Sequence, residues 1–116
     1  MSRFSNTDKL FRQIILQERP NRCEKCGKQG ILHVAHILSK GAHPRLRYQR
    51  CNVLLLCVHH HLYWAHTSPL EFNEWAEEYK GKELLNSLRI MERELPKVDL
   101  KMISVCLKEQ LKFNHP

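Results

Sequence analysis

Five cysteines and eight histidines among 116 residues carry most of the chemistry open to this chain, and their spacing sorts them. Cys23-Glu24-Lys25-Cys26-Gly27 is a C-x2-C turn closed by glycine. Cys57-Val58-His59-His60 repeats the two-residue spacing with a histidine as second member. Thiolates and imidazole in this mixture suit tetrahedral Zn²⁺, and a closed set of four protein ligands is structural rather than catalytic. Cys23, Cys26, Cys57 and His60 are therefore expected to hold a structural zinc ion, with His59 as an alternative to His60. A redox C-x2-C is disfavoured because no thioredoxin-like βαβ pattern surrounds it. Cys51 and Cys106 are left over, and a small buried hydrophobe is the better description of each.

Seven of the eight histidines fall between 33 and 66, and the zinc set needs only one of them. His36 stands at the end of an apolar run in HVAHILSKG, and Asn52 opens a second in RCNVLLLC. His61 directly follows His60, and His66 lies five residues further on.

The elements that must position these groups can be read from periodicity. Residues 7–18 place Leu10, Phe11, Ile14 and Ile15 at helical spacing, with Thr7 as N-cap and Pro20 beyond the end. ILHVAHIL predicts a short strand, VLLLC a second apolar run and HHHLYWAH the start of a helix, with Gly27, Gly30, Gly41 and Pro44 as punctuation. Helical spacing returns over 69–95 through Trp75, Tyr79, Leu84, Leu88, Met91 and Leu95, a stripe expected to be core, with Gly81 breaking or bending the run. A last amphipathic stretch uses Val98, Met102, Val105, Cys106 and Leu111. The expected fold is α+β and mostly helical, a small zinc-stapled ββα centre flanked by N- and C-terminal helices. It forms a single domain, 1–116, divided into an N-terminal helix (1–20), a core (21–80) and C-terminal helices (81–116). So short a core folds only if helices cover it or a metal holds it.

The net charge is +7, and it is unevenly placed. Residues 1–52 hold eleven Lys/Arg against three Asp/Glu, while 53–116 hold eight against nine. A basic face in the half that bears the first metal-type residues suits a polyanion, of which nucleic acid is the commonest in a cell. No apolar run approaches the ~18 residues of a membrane span. The start, MSRFSNTDKLFRQ, lacks the apolar stretch of a secretory signal. The expectation is a cytoplasmic protein, in a reducing compartment where clustered Cys and His bind metal rather than pair.

The order C-x2-C, His36, Asn52, Cys57-x2-His60-His61 resembles the HNH endonucleases, whose ββα-metal fold hydrolyses DNA. The continuation His61-x4-His66-x2-Pro69-x2-Phe72-x2-Trp75 looks like small HNH proteins of phage and prophage genomes, which would put the protein in a bacterial host cell. The resemblance covers roughly residues 21–80. It implies a metal-dependent DNA endonuclease, a phosphodiester hydrolase, in which His36 is the general base that takes a proton from water. Asn52 would fix the loop or orient the His36 ring, and His61 would bind a catalytic divalent ion. Lys40, Arg45, Arg47 and Arg50, in the intervening loop, would grip DNA phosphates.

One position departs from the family pattern. Many members place Asp or His just before the general base as a second metal ligand, and here that residue is Ala35. His66 is the first candidate to replace it, although helical geometry favours i to i+4 over i to i+5. His33 and His43 come behind it, and both, like His59, are expected to be bystanders. Imidazoles without a carboxylate suit Mn²⁺, Ni²⁺ or Zn²⁺ better than Mg²⁺. The rival reading is a non-catalytic zinc-containing nucleic-acid-binding module of phage origin. A homodimer or a phage protein is a further conceivable partner, and no interface is marked in the chain.

Overall fold

In the computed structural model, residues 2–114 are described, and His115, expected to be an ordinary surface group, lies outside the described residues. Helix α1 spans Ser5–Glu18 and buries Phe11, Ile14 and Ile15, three of the four apolar positions that predict it. It begins before Thr7, which is no cap. Thr7 is buried in the first turn, its hydroxyl 3.0 Å from that of Ser104. Beyond the last turn, the Arg19 guanidinium donates to the carbonyls of Val53 and Arg50, each at 2.7 Å. The helix end is thereby tied to the segment that carries the second strand.

Strands β1 (Leu32–His36) and β2 (Val53–Cys57) pair antiparallel, with Leu32 opposite Cys57 and His36 opposite Val53. β2 is buried along its whole length, as an uninterrupted apolar run requires. A two-stranded sheet is marginal alone, and here it lies in one core with Phe11, Ile14, Ile15, Phe72 and Leu88. Ile31 lies outside β1 and is 77% exposed.

After β2, His59–Ala65 form a π-helical segment. Helices α2 (Pro69–Lys80) and α3 (Lys82–Glu94) follow, separated at Gly81, whose φ of +94° is a conformation open to glycine. Helix α4 (Leu100–Asn114) packs back against α1. The fold is α+β with most residues helical. No helix among the described residues is long and apolar enough to cross a membrane.

Three packing expectations are corrected. Of the stripe expected over 69–95, Leu88 is buried and Trp75, Leu84, Met91 and Leu95 are half-buried against the core, beside buried Phe72, Ala76 and Leu85, but Tyr79 is exposed. In α4, Leu107 is buried with Ile103 and Leu111 beside it, and Met102, Val105 and Cys106 face solvent. Docking of α4 against α1 turns inward the side that carries Ile103, Leu107 and Leu111. Cys106 is accordingly exposed and Cys51 half-buried, neither of them the fully buried thiol expected.

Candidate metal centre and adjoining clefts

The C-x2-C segment is a tight turn. Gly27 donates its N–H to the Cys23 carbonyl at 2.8 Å, and Cys23 donates its own to Lys28 at 2.9 Å. Gly27 has φ +79°, which L-residues rarely adopt. Glu24, inside the turn, docks it on β2. Its N–H donates to the Leu55 carbonyl at 2.8 Å, and its carboxylate accepts the Leu55 N–H at 2.6 Å. Arg19 and the Tyr79 hydroxyl also donate to that carboxylate. Glu24 carries no family or metal signature, so spacing alone could not find it.

This docking brings Cys23 and Cys26 beside Cys57, at the end of β2, and His60, in the first turn of the π-helical segment. The four ligand atoms lie within 4.8 Å of one another. Sγ of Cys26 and Cys57 are 3.9 Å apart, while His60 Nδ1 is 3.9 Å from Cys23 Sγ and 3.3 Å from Cys57 Sγ. Zinc–sulfur bonds of about 2.3 Å and a zinc–nitrogen bond of about 2.0 Å give tetrahedral edges of roughly 3.5–3.8 Å, so these side chains fit such an ion. Burial pushes the Cys23 thiol up, but hydrogen bonds from the backbone of Cys57, Cys26 and Lys25 outweigh it and leave the pKa lowered, toward the ligating thiolate. His59 is exposed and lies outside the cluster. Trp64 packs edge-on to His60, Trp75 follows it, and Tyr79 stacks on Trp75 at 5.0 Å. Lys25 Nζ lies over both indoles, 5.2 and 5.4 Å from their centroids. Trp64 and Trp75 thus pack against the core and against each other, and Trp64 also meets His60 of the Cys/His cluster.

Three further histidines, His33, His61 and His66, come together. His33 Nδ1, on β1, is 2.9 Å from His61 Nδ1. The rings of His61 and His66 are 4.5 Å apart. Two ring nitrogens at 2.9 Å need a proton or a cation between them, because facing lone pairs repel. Two imidazoles each about 2.1 Å from one ion at a right angle would stand about 3 Å apart, so this pair fits a shared divalent ion. Burial, followed by the charges of His66 and His33, lowers the His61 pKa to about 4, which keeps its lone pairs available at neutral pH.

His36 closes β1 and lines the same clefts as His61. Its Nε2 is 2.9 Å from the Arg47 carbonyl, which can only accept, so Nε2 bears the proton and Nδ1 is the basic atom. Burial lowers its pKa below the ordinary histidine value, partly offset by that bond. Asn52 is fully buried and its side-chain hydrogen bonds go to backbone groups. Its side chain donates to the carbonyls of Leu38 and Leu46 at 3.0 and 3.2 Å and accepts the Leu38 N–H at 2.9 Å. It holds the 38–46 loop, while the His36 ring is oriented by Arg47.

Of the four cations expected on DNA, three are engaged within the chain. Arg47 makes a two-pronged ion pair with Asp8 at 2.9 and 2.6 Å and lies over the Phe4 ring. Arg50 is paired in the same way with Glu18 and also bonds Gln110. Arg45 is half-buried and donates to the Glu92 carbonyl on α3. Their carboxylate and carbonyl partners come from distant helices, which local sequence could not show. Lys40 is exposed, makes no ion pair among the described residues, and lines both clefts. The larger cleft, of about 640 Å³, runs from His36, His61 and His66 to Asn73 on α2 and Arg89 on α3.

Comparison with protein-family models, with curated proteins and with solved structures finds no match in any of the three.

Proposed function

We propose that this chain is a metal-dependent DNA endonuclease of the HNH type, stapled by a structural Zn²⁺ on Cys23, Cys26, Cys57 and His60. The observation that carries this reading is the His33–His61 pair at 2.9 Å in the cleft walls that also hold His36. A strand ending in His36, a loop clamped by Asn52, a second strand and a helical segment bearing His61 follow in the ββα order.

His36 takes a proton from the attacking water at Nδ1, the atom left basic by the Nε2–H···Arg47 bond. Its lowered pKa keeps it neutral for that purpose at physiological pH. His61 and His33, with His66 behind them, would hold the divalent ion, and the burial that keeps His61 unprotonated keeps it a ligand. When bound, that ion supplies Lewis-acid polarisation of the scissile phosphate. Asn52 acts through the loop and is a positioning residue.

The rival is a zinc-containing nucleic-acid-binding module without catalysis. Ala35 favours it, being 2% exposed and unable to coordinate anything at the position before the base. Nicking of supercoiled plasmid separates the two, comparing wild type with His36→Ala after EDTA treatment and re-addition of Mg²⁺, Mn²⁺ or Ni²⁺. Metal-dependent nicking by wild type and none by the variant is the expected result. Binding of DNA without cutting under any metal would leave the binding module.

A further inference from the structure

The basic loop is the natural place to seek the phosphate grip, yet its arginines are spent on Asp8, Glu18 and the α3 backbone. The larger cleft offers a different pair. Lys40, from the loop, and Arg89, from α3, both line it, both are exposed, and neither has an ion-pair partner among the described residues. Arg89 makes a single long hydrogen bond, 3.5 Å to Asn86 Oδ1.

Their supports are joined. His43 Nδ1 stands 3.4 Å from a Glu92 carboxylate oxygen, and Arg45 reaches the Glu92 carbonyl. Lys40 lies three residues before His43, and Arg89 three before Glu92. The same loop–helix junction therefore presents both cations to the cleft. Glu77 is the one carboxylate on the cleft lining among the described residues, so the charge there is net positive even with every imidazole neutral.

We propose that a nucleic-acid strand enters this cleft along α3, with a backbone phosphate held by Lys40 and Arg89 beside the histidine cluster. This rests on the endonuclease reading, and adds to it a binding residue, Arg89, that lies outside the part of the chain resembling a nuclease. Long flexible cations on two elements suit a phosphate, which carries no base identity, so the grip sets where the strand lies and not which sequence is cut.

The test is equilibrium binding of a short labelled duplex over a salt series, with zinc-loaded protein and no added divalent ion. Removing one phosphate-binding cation should reduce the slope of log K against log salt by about 0.9. Lys40→Ala and Arg89→Ala should each do so. Arg93→Ala, the same charge four residues along α3 but off the cleft, should not. Glu77→Gln should tighten binding. Equal effects of Arg89→Ala and Arg93→Ala would mean diffuse surface attraction and overturn the cleft assignment, as would unchanged slopes for both cleft variants. Failure of wild type to bind DNA at any salt would remove the endonuclease reading itself. Wild type that binds and nicks while Arg89→Ala matches it would remove only this inference. Circular dichroism of each variant checks the fold, and Arg89→Lys should restore the slope.

Discussion

His66 donates its backbone N–H to the carbonyl of His61, five residues back, at 3.2 Å. That wider turn is what brings the two imidazoles to 4.5 Å. In a regular α-helix, positions i and i+4 share a face and i+5 has rotated past it. The π-helical segment contains the added residue, so the spacing that counts against His66 in an α-helix no longer does. Such segments are rare and concentrate at functional sites. Here it includes His60, a member of the Cys/His cluster, and carries His61 and His66 toward the cleft.

Zinc is expected at one ion per chain by elemental analysis of purified protein, with Cys57→Ala and Cys26→Ser losing it. Structural zinc contributes on the order of 10 kcal/mol in small domains, against a total stability of about 5–15 kcal/mol. Loss of a ligand should therefore unfold the 21–66 region, seen as loss of amide dispersion by NMR. Cys51→Ser and Cys106→Ser serve as controls and should keep the metal. Full zinc content in Cys57→Ala would sink the assignment.

The divalent ion that the proposed function places at His33 and His61 should be a borderline one. Nicking supported by Mn²⁺ or Ni²⁺ should exceed that with Mg²⁺, because neutral imidazoles are poor ligands for a hard cation. His33→Ala should weaken Ni²⁺ or Co²⁺ binding by at least about 10- to 100-fold by calorimetry, the range seen when even a group that only supports a metal ligand is removed. Zinc content at the cysteine cluster should stay the same. Mg²⁺ as the best cofactor, or unchanged affinity in His33→Ala, would refute the pair as a ligand set.

The His36 titration gives a pH signature whose sign follows from burial. Its folded pKa lies below the ordinary value of 6.5 because desolvation disfavours the imidazolium. As pH falls below 6.5 the unfolded chain takes up a proton that the folded protein resists, so stability declines on the acid side and is retained above 6.5. The acid limb of nicking should likewise fall below pH 6.5. NMR titration of the His36 ring, assigned by loss of its signal in His36→Ala, would show this, and a midpoint above 6.5 would contradict it.

Asn52→Ala removes three hydrogen bonds at a fully buried position and orphans the N–H and carbonyl of Leu38, while the Leu46 carbonyl keeps the Gln49 N–H. Each of the two unsatisfied groups costs about 1–3 kcal/mol, partly relieved by loop movement, so a destabilisation of about 2–4 kcal/mol in denaturant unfolding is expected. Zinc content should survive. A change under about 1 kcal/mol would show that the loop does not depend on this side chain.

Residue type and local spacing were sufficient for much of this protein. Cys and His two residues apart declare a candidate metal cluster wherever the chain puts them, because the turn between them is local. Helices α1, α2 and α3, both strands and the break at Gly81 followed from hydrophobic period and glycine placement, which act over a few residues. Pairings between distant segments had no such signal. The His33–His61 pair spans 28 residues, the Arg47–Asp8 pair 39 and the Thr7–Ser104 pair 97. Whether Arg47 meets a phosphate or Asp8, and which stripe of α4 turns inward, depend on how the helices dock. Docking follows the total apolar area buried across the chain, a sum over elements that no short window contains. The order of residue types therefore told which groups could do chemistry. Tertiary packing decided which of them remain unpaired and face a common cleft.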